Sequence, residues 1–152
     1  MRKTAMTVGF ADLSHFVRVT EIIGEEQALT MLQEAFKAAG NCILQKGGTI
    51  RKYIGDTILF TFEDTATARI VAKEIRACFL FKRGKICVQF NIGLATGEVW
   101  EVKIGHPDCI VDDIYGMTVN NAALLSREAF KSSNGIKMCS VTAGTVNKTG
   151  TK

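Results

Sequence analysis

Hydrophobic residues along the chain follow two periods, one typical of strands and one typical of helices. Residues 4–12 form a short run rich in β-branched and aromatic residues, and they predict a first strand that ends at an acid. From Glu25 to about Gln45, apolar residues recur every three or four positions, as on the buried face of an amphipathic helix. A second helical pattern follows Asp64 or Thr65, either of which suits a helix N-cap.

The segment between these two helices, GGTIRKYIGDTILFTF at residues 47–62, predicts a β-hairpin. Two alternating apolar runs flank a link from Ile54 to Thr57, and its Gly-Asp centre supplies the backbone angles of a tight turn. Asp56 suits such a turn by itself, because aspartate hydrogen-bonds to the nearby backbone. The pattern therefore leaves open whether Asp56 only forms the turn or also holds a metal ion.

The second half of the chain predicts further strands and a third helix. Residues 85–105 indicate two strands broken at Ala95-Thr96-Gly97, and residues 108–112 indicate a short one. Residues 117–132 have helical character, and residues 135–141 predict a last strand. The order favours an α+β fold with a ferredoxin-like βαββαβ core, its helices on one face of an antiparallel sheet, followed by an extra strand pair, a helix and a C-terminal strand. We expect a single domain over residues 1–152.

Composition and charge narrow the classes of function. The chain has 152 residues, of which 47% are hydrophobic and 22% charged, as in a packed globular domain. The net charge of +4 is scattered, so no nucleic-acid partner and no membrane contact are expected, although an anionic substrate would suit it. Five dispersed cysteines, with no pair at metal-ligand spacing, favour reduced thiols that pack as small apolar residues in a cytoplasmic protein.

Two acids of the predicted sheet are candidates for chemistry. In a ferredoxin-like core the first strand lies beside the central hairpin, so Asp12 and Asp56 should meet at one edge. Converging carboxylates raise each other's pKa and favour a cation such as Mg²⁺ or Mn²⁺, which commonly binds substrate phosphates too. The helix that opens after Asp12 could cradle a polyphosphate with its free N–H groups. A metal site next to a phosphate-binding helix terminus suits phosphoryl-type transfer, although acids in turns and at strand ends are also common in proteins that have no such function.

Four motifs, in order, carry a resemblance to a known family. They are FADLSHF (residues 10–16), KGGTIRKYIGDTILFTF (46–62), NIGLATGEVW (91–100) and DDIYGMTVNNAALL (112–125). The first two resemble the metal motifs of class III nucleotide cyclases, the adenylyl and guanylyl cyclases, and the other two resemble later motifs of the same catalytic domain.

The resemblance implies a role for each matching position. Asp12 and Asp56 would hold two divalent metals per site, Mg²⁺ or Mn²⁺, one activating the ribose 3′-hydroxyl and one holding the triphosphate. Lys52 and Asp113 match the pair that selects adenine, since an ammonium donates to ring N1 and a carboxylate accepts from the 6-amino group. Asn120 matches the residue that orients the ribose.

The resemblance also implies phosphate contacts and a dimer. The backbone groups of Leu13, Ser14, His15 and Phe16 would contact the phosphates. One chain carries both halves of the family's composite site, so ATP would bind between the subunits of a head-to-tail homodimer, or of a heterodimer with another cyclase domain. Trp100 is a candidate dimer contact, and it is equally well interpreted as a partly buried core aromatic.

The chain departs from the family at two places. Leu124 stands four residues after Asn120, where the family has an arginine whose loss costs about a thousandfold in rate or more, by analogy with arginine fingers. Arg127, three residues later, is the candidate substitute, although an ordinary surface arginine would look the same. The second departure is at the end of the chain, where the family has a hairpin whose lysine holds the triphosphate. Lys148 is the candidate for that lysine and matches it poorly, so we expect the domain to be truncated there or to lack that part of the site.

Two functions from different classes remain open on this basis. The first is an adenylyl cyclase, slowed by Leu124. The second is a cyclase-homology domain that binds a nucleotide or a partner domain without turnover and signals by dimerisation. A diguanylate cyclase is disfavoured, because the hairpin tip lacks the Gly-Gly-Asp/Glu-Glu-Phe turn.

Overall fold

A computed structural model describes residues 1–144 of the chain. The elements in chain order are β1 (Arg2–Leu13), α1 (Phe16–Ile23), α2 (Glu25–Gln45), β2 (Thr49–Ile54), β3 (Thr57–Phe62), α3 (Thr65–Cys78), β4 (Phe81–Arg83), β5 (Ile86–Val88), β6 (Phe90–His106), β7 (Cys109–Tyr115), α4 (Met117–Ala129), β8 (Ile136–Met138) and α5 (Ser140–Ala143). The N-cap of α3 is Asp64, whose carboxylate accepts from the Thr67 N–H group, as the sequence predicts.

The main sheet has the strand order β2-β3-β1-β6-β7, with β8 parallel to part of β6. Its other pairings are antiparallel, and β4 and β5 form a separate two-stranded ribbon. The four strands β2-β3-β1-β6, with helices between β1 and β2 and between β3 and β6, make up the ferredoxin-like βαββαβ core. The predicted α+β fold class is therefore confirmed.

Helices cover both faces of this sheet. Because side chains alternate along a strand, Ala11 and Leu13 of β1 join the core under α1, α2 and α3, whereas Val8 and Phe10 point to the other face. On that other face they pack with α4 through Ala122. The prediction of helices on one face holds for the βαββαβ core, and α4 covers the second face.

The predicted break at Ala95-Thr96-Gly97 is wrong, because β6 runs without interruption from Phe90 to His106. Gly97 serves a close approach of α4 instead of a turn: a Cβ atom there would lie 2.5 Å from the Thr118 hydroxyl oxygen. Gly93, on the same face of β6, has the same function, since its Cβ atom would meet the Ser126 backbone nitrogen at 2.1 Å. Two glycines thus let α4 lie directly on β6, which fixes that helix relative to the end of β1.

All five cysteines are free thiols. Burial raises the pKa of Cys42 on α2 and of Cys78 on α3, to about 12 for Cys78. Cys109 is exposed, so the prediction that every cysteine packs as a small apolar residue is wrong there. No helix within residues 1–144 has both the length and the apolar composition needed to cross a membrane.

Candidate functional site

The two predicted metal-binding acids meet at one edge of the sheet. Asp12 lies at the end of β1 opposite Thr57 of β3, and Asp56 immediately precedes Thr57 in the two-residue turn of the β2–β3 hairpin. Gly55 supplies the positive φ of 58° that this turn needs. The Leu13 N–H group donates to the Asp56 carbonyl oxygen over 3.3 Å, which fixes the turn against the end of β1.

The electrostatics of this edge favour a bound cation. Burial raises the pKa of Asp12 to about 6, the charge of Asp56 raises it as well, and Arg127 opposes the shift. Burial also raises the pKa of Asp56. The Asp12 Oδ1 atom is buried and has no hydrogen-bond partner in the part of the chain that is described. A buried carboxylate oxygen without a partner is costly, and a metal ion would satisfy it.

The donor set fits a hard divalent ion that is held in part by its substrate. Within residues 1–144, no cluster of three or more His, Cys, Asp or Glu side chains is placed to bind a metal. Asp12 and Asp56 therefore offer two carboxylates, and Mg²⁺ characteristically binds through one or two carboxylates together with substrate phosphates and water. The carboxylate pair suits Mg²⁺ or Mn²⁺ better than a metal that needs a complete protein cage.

We expect Asp12→Asn to stabilise the metal-free fold at neutral pH. The native state binds the Asp12 proton more tightly than the unfolded state does, so stability falls as the pH rises from about 4 to about 6 and stays lower above that. Asparagine avoids this loss, which for a shift of about 2 pKa units is of the order of 3 kcal/mol. Unfolding in urea with a chelator should show the gain at pH 7.5 and none at pH 4.

A matched control and a metal titration complete this test. Asp108→Asn removes a carboxylate whose side chain is 94% exposed, and it should leave the unfolding free energy unchanged. Mn²⁺ should stabilise the parent protein more than the Asp12→Asn variant. Equal stability of Asp12→Asn and the parent at pH 7.5 would show that the charged Asp12 carboxylate does not destabilise the metal-free fold, contrary to this prediction.

The predicted phosphate loop lies beside the two acids. Residue His15 has a left-handed φ of 58°, α1 begins at Phe16, and no side chain within residues 1–144 caps that helix. The amides of its first turn thus lack intrahelical partners. The Ser14 N–H group donates to the Gln89 carbonyl over 2.9 Å, and the Leu13 amide is engaged by Asp56. An anion would therefore meet the amides of the first turn of α1 more readily than those of Leu13 and Ser14.

An open cleft adjoins this loop. Its volume is about 560 Å³, and it is lined by Leu13, His15, Phe16, Val17, Arg18, Glu21 and Asp56. The cleft joins the turn that carries Asp56 to the N-terminus of α1. A phosphate group in it would contact both the helix terminus and a metal ion on the carboxylates.

The predicted adenine-reading pair is brought together by the curl of the sheet. The Lys52 Nζ atom of β2 lies 2.7 Å from the Asp113 Oδ2 atom of β7, although 61 residues separate the two in sequence. The other Asp113 oxygen accepts a hydrogen bond of 2.8 Å from the Ile114 N–H group. A neighbouring network of three charged residues was not predicted from the sequence: the Glu101 carboxylate accepts hydrogen bonds from both Arg2 and Arg51. These three residues and Asp113 line a second cleft of about 560 Å³.

The remaining candidates lie on the outer face of α4. Asn120, Leu124 and Arg127 are all exposed, and Leu124 retains 49% of its accessible surface. The Asn120 amide nitrogen approaches the Met117 sulfur at 3.8 Å. Further large apolar side chains are exposed on α4, at its C-cap and on the β6–β7 hairpin: Trp100, Ile104, Ile110, Val111, Tyr115, Met117 and Phe130.

The last two residues singled out from the sequence are Trp100, a candidate dimer contact, and Lys148, a candidate phosphate ligand. Trp100 is 37% exposed and lies under the Lys3 ammonium, 5.4 Å from the ring centroid. It is therefore a surface aromatic and is not part of the core. Lys148 lies outside the described residues.

Comparisons with known proteins identify relatives by sequence and by fold. No family model matches the chain. An adenylate cyclase of Streptomyces coelicolor is 32% identical over 127 residues, which make up 83% of this chain and 30% of that protein. The structure of a bacterial light-regulated adenylyl cyclase has a TM-score of 0.84 at 20% identity, covering 94% of this chain and 79% of that one.

A third relative is a guanylyl cyclase by name. The catalytic core of a rhodopsin-guanylyl cyclase with converted specificity, in complex with ATPαS, has a TM-score of 0.81 at 21% identity, covering 97% of this chain and 84% of that one. At these identities the structural likenesses establish the fold. The chain spans less than a third of the length of the curated relatives it matches.

Proposed function

Because the chain belongs to the family of class III nucleotide cyclase catalytic domains, we propose that it is an adenylyl cyclase that converts ATP to 3′,5′-cyclic AMP and pyrophosphate. The observation that carries this proposal is the meeting of Asp12 and Asp56, with the Asp12 Oδ1 atom buried and without a partner. The cyclase named in the sequence comparison is an adenylate cyclase, which supports the same activity.

The two carboxylates would hold two divalent ions, Mg²⁺ or Mn²⁺. When bound, these ions would lower the pKa of the ribose 3′-hydroxyl and neutralise charge on the triphosphate. The first-turn amides of α1 would hold phosphate oxygens against the turn that carries Asp56. The 3′-hydroxyl would release its proton to solvent as its oxygen attacks the α-phosphorus, the bond from that phosphorus to the bridging oxygen would break, and pyrophosphate would leave with the electron pair.

Base selection would depend on Lys52 and Asp113. The ion pair of 2.7 Å presents a donor next to an acceptor, which matches N1 and the 6-amino group of adenine. Guanine presents the reverse pattern at these two positions. ATP is therefore proposed as the substrate, with Asn120 orienting the ribose and Arg127 supplying a positive charge near the phosphates.

The complete site would form between two chains. The exposed apolar residues of α4 and the β6–β7 hairpin offer a surface for a second cyclase domain, and Trp100 belongs to it. Since one chain carries both the metal acids and the base-reading pair, a head-to-tail homodimer would have two equivalent sites. A cytoplasmic location is part of the same proposal, in keeping with five free thiols.

A second candidate function rests on Leu124. Leu124 is an exposed aliphatic side chain at the position of α4 where the family has an arginine that stabilises the transition state. The absence of this positive charge favours a domain that binds nucleotide and signals by dimerisation without turnover. The retention of Asp12, Asp56, Lys52 and Asp113 favours the enzyme.

We expect the purified domain, at high concentration with Mn²⁺, to form cyclic AMP from ATP and no cyclic GMP from GTP. Chromatography of the products would measure both reactions. Cyclic GMP from GTP alone would overturn the role of Lys52 and Asp113 as readers of adenine. No product from either nucleotide, with the protein shown to be folded and dimeric, would favour the second candidate function.

A further inference from the structure

Three cations line one depression at the C-terminal end of α4. The depression has a volume of about 430 Å³, and its lining residues are Leu124, Arg127, Glu128, Lys131 and Lys137. Among the residues that the structure describes, none of the three cations forms an ion pair, whereas other cations such as Lys3 and Lys46 do. Like charges collected in one place repel, and a bound anion would relieve the repulsion.

The fold brings these cations together from two elements. Arg127 is in the last turn of α4, and Lys131 lies in the turn that follows the helix. Both side chains line the depression. Lys137 of β8 lies opposite Gly93 of β6, which is the point where β6 touches α4. The absence of a side chain at Gly93 thus places the β8 lysine beside the end of α4.

The end of α4 that bears the depression contacts the loop that follows β1, the strand that carries Asp12. The His15 ring of the predicted phosphate loop meets the Phe130 ring edge-on, with centroids 5.1 Å apart, and Phe130 directly precedes Lys131. The three cations therefore lie at the end of α4 that contacts the predicted phosphate loop of the same protomer.

We propose that Arg127, Lys131 and Lys137 form a polyphosphate site that holds the β- and γ-phosphates of a nucleotide whose metals are bound by Asp12 and Asp56 of the same protomer. The inference rests on the proposed function and adds Lys131 and Lys137 to it. Negative charge builds up on the leaving pyrophosphate as the bond to the α-phosphorus breaks. Cations already positioned there stabilise that charge, and they offset in part the absence of an arginine at position 124.

The test compares two double variants with the same change of charge. Lys131→Gln with Lys137→Gln removes the two lysines of the depression and leaves Arg127 in place. Lys82→Gln with Lys85→Gln removes two exposed lysines of the β4–β5 ribbon. The probe is inorganic tripolyphosphate with Mg²⁺, and calorimetry measures its dissociation constant. We expect the first pair to weaken binding at least about tenfold, equivalent to about 1.4 kcal/mol, and the control pair to remain within about twofold of the parent.

The outcomes separate this inference from the proposed function. Cyclic AMP formation by the parent, with equal tripolyphosphate affinity in both double variants, would overturn the polyphosphate site and leave the cyclase in place. Weaker tripolyphosphate binding by the first variant alone, in a protein that makes no cyclic nucleotide, would support the site and overturn the cyclase. In an active enzyme, the first variant should also raise the KM for ATP, while the control should not.

Discussion

Asp56→Asn is expected to reduce cyclic nucleotide formation by about a thousandfold or more. Metal-ion stabilisation of a transferring phosphoryl group contributes several kcal/mol, and each 1.4 kcal/mol is a factor of ten in rate. Asparagine keeps the shape of the side chain and suits the tight turn after Gly55, so the hairpin should fold as before. Product formation measured against Mn²⁺ concentration would show the loss, and Asp108→Asn, an exposed acid elsewhere, should have no effect.

The same variant has a consequence that does not depend on turnover. The charge of Asp56 contributes to the raised pKa of Asp12, so its removal should lower the Asp12 pKa from about 6 towards the ordinary value. Nuclear magnetic resonance of the Asp12 carboxyl carbon in metal-free protein would measure this shift. Full activity of Asp56→Asn, or an unchanged Asp12 titration, would contradict the shared site.

The parts of this site that depend on local pattern could be predicted from the sequence. The Gly-Asp turn fixes the register of β2 and β3, and strand order in a ferredoxin-like core then brings Asp56 beside Asp12. The long three-to-four periodicity likewise predicts α2 with its observed ends. Both results come from interactions between residues that are near in sequence or in adjacent strands.

The parts that depend on how one element lies against another could not be predicted in this way. Gly97 looks like a break in a strand, and only the position of Thr118 shows that it is a contact with α4. The bridge from Glu101 to Arg51 crosses 50 residues, and it requires the sheet to curl. The grouping of Lys131 with Lys137 depends on the parallel pairing of the short strand β8, which no sequence period indicates.

Leu124→Arg should raise the rate of cyclic AMP formation by about a hundredfold or more. Position 124 lies one helical turn beyond Asn120, and Leu124 is 49% exposed, so an arginine can extend from α4 without a buried charge. Arginine fingers contribute about a thousandfold or more to phosphoryl transfer, because the guanidinium matches the charge of the transition state. Steady-state rates with saturating ATP and Mn²⁺, at several protein concentrations, would separate a gain in turnover from a change in dimer formation.

A matched variant tests whether position matters more than added charge. Leu29→Arg places the same side chain on α2, where the leucine is 56% exposed, and it should leave the rate unchanged. If Leu124→Arg gives no gain while the protein remains dimeric, the missing arginine is not what limits this chain. Arg127, Lys131 and Lys137 would stabilise the same phosphate charge as an arginine at position 124, so the two effects should not be additive. If these cations already offset much of the rate lost through Leu124, the gain from Leu124→Arg should be larger when Lys131 and Lys137 are first replaced by glutamine.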